Sequence, residues 1–233
     1  MITTKIGRDF TYRLEDLITN FNCYIEYFNN NVPFKNDQFE AHAETIRLRG
    51  KHDRAIKAIE NREYVQSLYK TLIAWRIGSR GSKLLGFPDF HEAILSCRDS
   101  IDEIEQWTLD SFEDGDSESI ISLSWNLIDG LKIVNNEAKL VPCTKALHHI
   151  LPQLFVPIDR KYTQAFFMLY NPQFQYEQRK RFNFMFRTFI KINRYVKPSK
   201  YVGKNWHTSP TKVIDNAIIG FCNAKGYSGE KFK

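Results

Sequence analysis

The stretch LVPCTKALHHILPQLFVPIDRKYTQAFF, residues 140–167, decides how this chain folds around a possible site. It contains two short helical patterns joined by a segment that begins and ends with proline, residues 152–157. A helix that begins near Thr144 carries Lys145 in its first turn, and Asp159 stands where the second helix would be capped. We therefore expect the proline-bounded segment to bring one ammonium group towards one carboxylate.

The length and composition indicate a folded, globular protein. The chain has 233 residues, of which 42% are hydrophobic and 14% aromatic. This is enough for one large domain or two small lobes with a full apolar core, and it excludes a mostly disordered chain. The four cysteines form no CxxC pair and have no ligand-like spacing to histidine, so we expect a reduced compartment and no metal site. They are Cys23, Cys97, Cys143 and Cys222.

The sequence carries no membrane signal. The amino-terminal residues MITTKIGRDF lack an apolar run, and no stretch approaches the run of about eighteen apolar residues that a membrane span needs. We expect a cytoplasmic monomer that uses no cofactor and contacts no membrane.

Apolar residues recur every three or four positions through most of the chain, which predicts an all-α fold. We expect helices over residues 9–30, 36–49, 54–77, 88–95 with Asp89 as N-cap, 101–109 and 119–133. The acidic run at residues 113–118 is the best linker candidate. It suggests one unit of two closely packed helical lobes, approximately residues 1–115 and 116–233.

Charge is distributed unevenly along the chain. Residues 101–144 hold ten acidic and two basic side chains, whereas residues 145–233 hold sixteen basic and four acidic ones. A basic region interleaved with aromatics is typical of a polyanion partner, and Arg179, Lys180 and Arg181 are candidate nucleic-acid contacts. A solvated helix face whose aromatics form the core explains the same pattern.

A second basic segment lies at residues 72–85, where two glycines are surrounded by arginine and lysine. Such a segment can present backbone N–H groups and positive charge to a phosphate, which makes Arg80 and Lys83 candidate contacts. An ordinary glycine C-cap with surface arginines is an equally good interpretation.

The order of residues in 140–159 resembles the helix-hairpin-helix DNA glycosylases with their Gly/Pro-Asp loop. Residues 140–145, LVPCTK, match the hairpin and the start of its second helix, and residues 156–159, VPID, match the proline-aspartate element. The hairpin glycines of that family are replaced here by Pro142, Cys143 and Thr144. The interval between the lysine and the aspartate is several residues shorter, and no iron–sulfur cysteines follow.

The resemblance implies an enzyme that extrudes a damaged or modified base from double-stranded DNA and cleaves its N-glycosidic bond. Asp159 would stabilise the positive charge that develops on the sugar and orient a water molecule. Lys145 would attack the same carbon and form a Schiff base, which would add lyase activity.

The resemblance also implies residues that grip the DNA. Phosphate contacts would come from Arg160, Lys161, Thr144 and His148, and base stacking from Tyr162 and Trp75. Compact helical glycosylases of this type also occur in bacterial defence against phages whose cytosines are hydroxymethylated and glucosylated. A hypermodified phage cytosine is therefore one candidate substrate.

Simpler interpretations stay open for these residues. An aspartate after Pro-Ile is commonly only a helix cap, and histidines or aromatics are commonly packing residues. The alternative function is a non-enzymatic DNA- or RNA-binding helical domain. A third is a protein-interaction module centred on the acidic residues 101–118.

Overall fold

The fold is described here from a computed structural model that covers residues 2–78, 82–112, 117–169, 176–203 and 205–227. The α-helices of these ranges are α1 (Ile2–Thr19), α2 (Phe21–Asn30), α3 (Asn36–Arg49), α4 (Ala55–Glu60), α5 (Arg62–Ala74), α6 (Phe87–Leu95), α7 (Arg98–Ile104), α8 (Ser117–Gly130), α9 (Leu140–Ile150), α10 (Thr163–Phe166), α11 (Gln178–Val196) and α12 (Pro210–Ala224). Two 3₁₀ helices lie at Leu109–Ser111 and Pro198–Tyr201.

The prediction of an all-α protein is confirmed for the described residues. Their strand-like pairing is limited to a single bridge between Leu84 and Val134. It is extended by a bond from the Leu85 N–H to the Ile133 carbonyl, 3.0 Å. This bridge ties the segment before α6 to the segment after α8. Across the same part of the chain, no helix has both the length and the apolar character needed to cross a membrane.

Helix α12 lies at the centre of the molecule, because every residue from Pro210 to Cys222 is buried. A helix that is covered on all sides must be surrounded by other elements, and α1, α2, α10 and α11 pack around it. The closest approach is made by α2 at Gly220, where a β-carbon would overlap the Tyr24 carbonyl oxygen. Because Gly220 has no side chain, the backbone of α2 can approach α12 this closely.

Two predicted long helices are each divided in the structure. Residues 9–30 form α1 and α2 with a break at Asn20, and residues 54–77 contain α4 and α5 with a break at Asn61. The Asn61 side chain accepts a bond from the Tyr64 N–H (3.0 Å), so it caps α5. The apolar period continues across both breaks, which is why periodicity alone does not locate them.

Other helix boundaries agree in part with the predictions. Helix α3 has the predicted bounds, whereas α7 and α8 both begin and end earlier than expected. Asp89 is not the N-cap of α6, because Gly86 holds that position and Asp89 lies in the first turn. There its carboxylate is favourably placed at the positive end of the helix dipole. Residues 113–116, the first four of the predicted linker, lie outside the described ranges, and residues 117–118 are the first two of α8.

Candidate active site

Residues 140–145, predicted to contain a hairpin turn, are instead the first six residues of α9. Pro142 fits there because the N–H it lacks would have no partner within the first turn of the helix. The Leu140 N–H, at the start of the helix, donates to Oε1 of Gln178 from α11 at 3.0 Å. Lys145 consequently lies in the second turn of α9, not in the first.

The segment after α9 returns the chain to this helix. The Ile158 N–H donates to Oγ1 of Thr144 at 3.3 Å, which fixes the returning strand-like segment against α9. One residue later, Oδ2 of Asp159 lies 3.5 Å from Nζ of Lys145. The proline-bounded segment therefore brings together the two side chains that the sequence paired.

Asp159 is held by the turn that follows it. Its Oδ1 atom accepts bonds from the backbone N–H groups of Lys161 (2.6 Å) and Tyr162 (3.1 Å). Burial alone would raise the pKa of Asp159, but the Lys145 ammonium and the two N–H donors outweigh it, so the pKa lies below its ordinary value. The carboxylate is ionised near neutral pH. The Asp159 side chain is 31% exposed and the Lys145 side chain 10%, so part of the Asp159 side chain faces solvent.

A second ion pair, which the sequence reasoning missed, lies in α12. Nζ of Lys212 is 2.5 Å from Oδ2 of Asp215, and their side chains are 1% and 6% exposed. Burial lowers the pKa of Lys212, opposed by Asp215, and the Lys145 charge lowers it further. Burial likewise raises the pKa of Asp215 against the pull of Lys212. The two pairs thus belong to one electrostatic cluster.

Aromatic rings surround both ammonium groups. Nζ of Lys145 lies 5.5 Å from the ring centroid of Trp75, and Nζ of Lys212 lies 5.2 Å from the same centroid. Lys212 also lies over Trp206 (5.1 Å) and Phe34 (5.4 Å). Trp75 is half-buried, as a ring that stacks on a ligand must be, whereas Trp206 is buried. The predicted stacking residue Trp75 therefore stands beside Lys145.

Three buried histidines form the inner side of this cluster. Nδ1 of His149 lies 2.8 Å from the Lys145 carbonyl, so it must carry the proton and donate. Nε2 of His149 then accepts from Nδ1 of His42 (2.9 Å), and Nε2 of His42 accepts from the Thr208 hydroxyl (2.9 Å). Burial lowers the pKa of His149 to about 4, which keeps this series of hydrogen-bonded side chains neutral. In the described ranges, no group of three metal-ligating side chains could hold an ion.

His148, predicted as a phosphate contact, is fully buried. Its Nδ1 atom donates to the Phe155 carbonyl at 3.0 Å and lies 3.1 Å from the Thr211 hydroxyl. Its ring stacks on His42 with centroids 5.8 Å apart. A phosphate on the surface cannot reach it, so the packing interpretation holds for this residue.

Two further predicted ligand contacts are also buried. Thr144 is fully buried and donates to the Leu140 carbonyl at 2.7 Å. Tyr162 is 4% exposed and lies inside the turn after Asp159. Both were predicted from their positions beside the catalytic candidates, but α9 is packed on nearly every side, so Thr144 points into the core, and Tyr162 directly precedes the buried helix α10. Thr144 accepts the hydrogen bond from the Ile158 N–H and does not contact a phosphate.

The predicted basic contacts are mostly exposed. Arg160 and Lys161 are exposed directly after Asp159. Lys83 is exposed too, and its backbone N–H donates to Oδ1 of Asn135 at 3.0 Å. Arg80 lies outside the described ranges. Arg160 and Lys161 are therefore the basic side chains that the structure places beside the carboxylate.

The basic residues at the start of α11 are partly neutralised. Arg181 and Lys180 both pair with Glu177, the latter at 3.8 Å. Arg179 and Lys180 line an open groove of about 590 Å³ that also contains acidic side chains of the 129–137 region. Farther along α11, the exposed side chains are basic and aromatic: Phe184, Arg187, Lys191, Arg194 and Tyr195. Arg187 pairs with Glu118, so this part of the helix is also partly neutralised. The basic side chains of α11 still extend beyond the three predicted arginine and lysine residues.

Comparison with family models, curated proteins and solved structures finds no match to this chain. The side chains themselves are therefore the guide to function. Lys145, Asp159 and Trp75 were predicted from the sequence, whereas Lys212 and Asp215 were not. A lysine and an aspartate three residues apart in a helix that has no other charged residue are a usable signal for a buried pair. Nothing in the sequence shows which other elements meet that pair.

Proposed function

We propose that this chain is a two-lobed helical DNA glycosylase that excises a damaged or modified base from double-stranded DNA. The observation that carries the proposal is the partly exposed Asp159 side chain, whose carboxylate lies 3.5 Å from the Lys145 ammonium, which in turn lies 5.5 Å from the ring centroid of the half-buried Trp75. An anion, an amine and a flat aromatic surface are the groups that N-glycosidic cleavage of an extruded base uses.

Asp159 has the electrostatic character that the reaction needs. When the N-glycosidic bond breaks, its electron pair leaves with the base and positive charge develops at C1′ of the sugar. A carboxylate that stays ionised stabilises this charge and can take a proton from the attacking water. The low pKa of Asp159 and its two backbone donors keep it ionised and oriented.

Lys145 supplies a possible lyase step. The Lys145 ammonium must first lose a proton, and Asp159 is its hydrogen-bond acceptor at 3.5 Å. The neutral amine can then attack C1′ as the DNA base leaves with the bonding electron pair. Loss of a second proton from Nζ and opening of the sugar ring with protonation of O4′ give a protonated imine, and removal of a C2′ proton then expels the 3′ phosphate. A monofunctional hydrolase would leave Lys145 as a partner that orients Asp159.

The DNA would be gripped by exposed cations near the site. Arg160 and Lys161 follow Asp159 directly and are exposed, and in this proposal they would contact phosphates beside an extruded nucleotide. The hypermodified cytosine of a phage genome stays one candidate substrate, in keeping with the family resemblance. A role in bacterial defence depends on that substrate.

The second candidate is a non-enzymatic nucleic-acid-binding domain. The exposed basic and aromatic face of α11 favours it, because such a surface binds a phosphate backbone without any chemistry. Binding assays alone cannot separate the two functions, since both predict affinity for DNA.

Base release separates them. The protein is incubated with duplexes that carry oxidised, alkylated, deaminated or glucosylated bases, and hot alkali then reveals abasic sites. We expect cleavage of at least one substrate by the wild type and none by Asp159→Asn. The exposed Lys51→Ala serves as a control and should cleave at the wild-type rate. A complete absence of cleavage across the panel, glucosylated phage DNA included, would leave the binding domain as the function.

A borohydride trap tests the lysine separately. We expect the wild type to form a covalent complex with the cleaved DNA and Lys145→Ala to form none. If Lys145→Ala still releases the base but forms no complex, Lys145 acts only in the lyase step. If trapping persists in Lys145→Ala, another amine is the nucleophile.

A further inference from the structure

The Lys212–Asp215 pair is unusual because both charges are inside the protein. The side chains are 1% and 6% exposed, and the pair is enclosed by the central helix and the elements around it. Removing two such ions from water costs several kcal/mol each, and their attraction compensates only when geometry and additional contacts are favourable. Stability alone does not explain such a pair, because apolar residues of similar volume are often as stable or more stable.

The additional contacts come from aromatic rings. The Lys212 ammonium lies within 5.1–5.4 Å of the ring centroids of Phe34, Trp75 and Trp206. These rings come from three separate parts of the chain, and the indole centroids are 6.5 Å apart. A desolvated ammonium is attracted to each ring face, so one cation holds all three rings in a fixed arrangement.

Trp75 links this buried pair to the candidate active site. Its ring is half-buried, and it is the ring that both Lys145 and Lys212 approach. Its Nε1–H donates to the Gln38 carbonyl at 3.3 Å, a long bond that leaves the ring orientation dependent on other contacts. The inner contacts of the ring are therefore made largely by His42, His149 and Lys212.

We propose that Lys212 and Asp215 are positioning residues that hold the Trp75 ring, backed by Trp206, as the surface on which an extruded base stacks. This role rests on the proposed glycosylase function. Lys212 does not touch the base; its charge, balanced by Asp215, orients the ring that does.

The test replaces the pair with apolar residues of similar size, Lys212→Met with Asp215→Leu. Because no unpaired charge stays buried, we expect this double variant to fold with a thermal midpoint equal to or above that of the wild type. Single-turnover base release should fall by about 100-fold, which is the scale of a misplacement of about 1 Å. Affinity for an unmodified duplex should stay unchanged, since the pair is buried and the cations proposed to grip the DNA are on the surface.

Two further variants isolate the role of the charge. Lys212→Arg keeps a cation that can lie over the rings and should recover part of the rate. A matched control replaces the ion pair between Lys225 and Asp16, 2.8 Å apart at the end of the central helix, with Met and Leu. It should release the base at the wild-type rate. A well-folded Lys212→Met/Asp215→Leu variant with wild-type base release overturns the proposal.

The positioning role can be measured without catalysis. The indole N–H resonance of Trp75, assigned with Trp75→Phe, should shift or broaden in the double variant in the absence of DNA. If the wild type releases no base from any substrate, the proposed function fails, and this resonance still decides whether the pair orients the ring. An unchanged resonance overturns the positioning role, whatever the substrate results.

Discussion

Acid should destabilise this protein between about pH 6.5 and pH 4, because three buried imidazoles stay neutral in the folded state. His42, His148 and His149 are each 0% exposed. Burial, together with the charges of Lys212 and Lys145 and against the bond to the Lys145 carbonyl, lowers the pKa of His149 from 6.5 to about 4. The pKa values of His42 and His148 also lie well below the ordinary value, chiefly through burial.

The direction of this pH effect on stability follows from the proton affinities of the folded and unfolded states. Between pH 4 and pH 6.5 the unfolded chain binds a proton at His149 and the folded protein does not. Stability from this residue is therefore complete above pH 6.5 and is lost as the pH falls towards 4. The difference between a pKa of 6.5 in the unfolded chain and about 4 in the folded protein corresponds to about 3 kcal/mol of unfolding free energy for His149. That is a large part of a typical unfolding free energy of about 5–15 kcal/mol.

The measurement is urea unfolding, followed by circular dichroism at intervals between pH 7.5 and pH 4. His149→Gln keeps a side-chain donor and acceptor but cannot titrate. The slope of unfolding free energy against pH should decrease by up to one proton, about 1.4 kcal/mol per pH unit. His52→Gln, at a half-buried position outside the cluster, is the control. Its slope of unfolding free energy against pH should stay closer to that of the wild type than the slope of His149→Gln. Equal slopes for wild type and His149→Gln would refute the reasoning.

Three other predictions concern the fold and the DNA surface. Gly220→Ala should destabilise the protein by about 1–3 kcal/mol in urea unfolding, because its methyl group would overlap α2, whereas Gly130→Ala has room and should change stability much less. Asn61→Ala should cost about 1 kcal/mol through loss of the α5 cap, and an unchanged urea midpoint would contradict the capping role. Lys191→Glu on α11 should weaken DNA binding and lower the slope of log affinity against log salt by about 1–2, while Lys51→Glu should not.

The sequence predicted the helices well and the breaks between consecutive helices less well. The apolar period identified the helices, and α3 has the predicted bounds. The capping role of Asn61 and the break at Asn20 were missed, because a single polar residue changes the backbone without disturbing the period. The same limit applies to residues 140–145, where Pro142 was taken to mark a turn but is accommodated in the first turn of α9.

Exposure was the least predictable property of the site. Thr144, His148 and Tyr162 are polar or amphipathic and lie beside the catalytic candidates, yet all three are buried. A helix with solvent on one side gives a clear polar face, but α9 is covered on almost every side. Which of its polar residues face a cavity, a neighbour or water depends on elements distant in the chain.

The sequence by itself determined the all-α class and the pairing of Lys145 with Asp159, because both follow from local patterns separated by only 14 positions and a short proline-bounded turn. Tertiary structure alone decided that Lys212, Asp215 and the histidine chain join them. The bond between His42 and His149 spans 107 positions, and such contacts form only when separate helices pack their apolar surfaces together. Packing leaves no trace in local periodicity, so the chemistry around the lysine and aspartate became visible only in the folded protein.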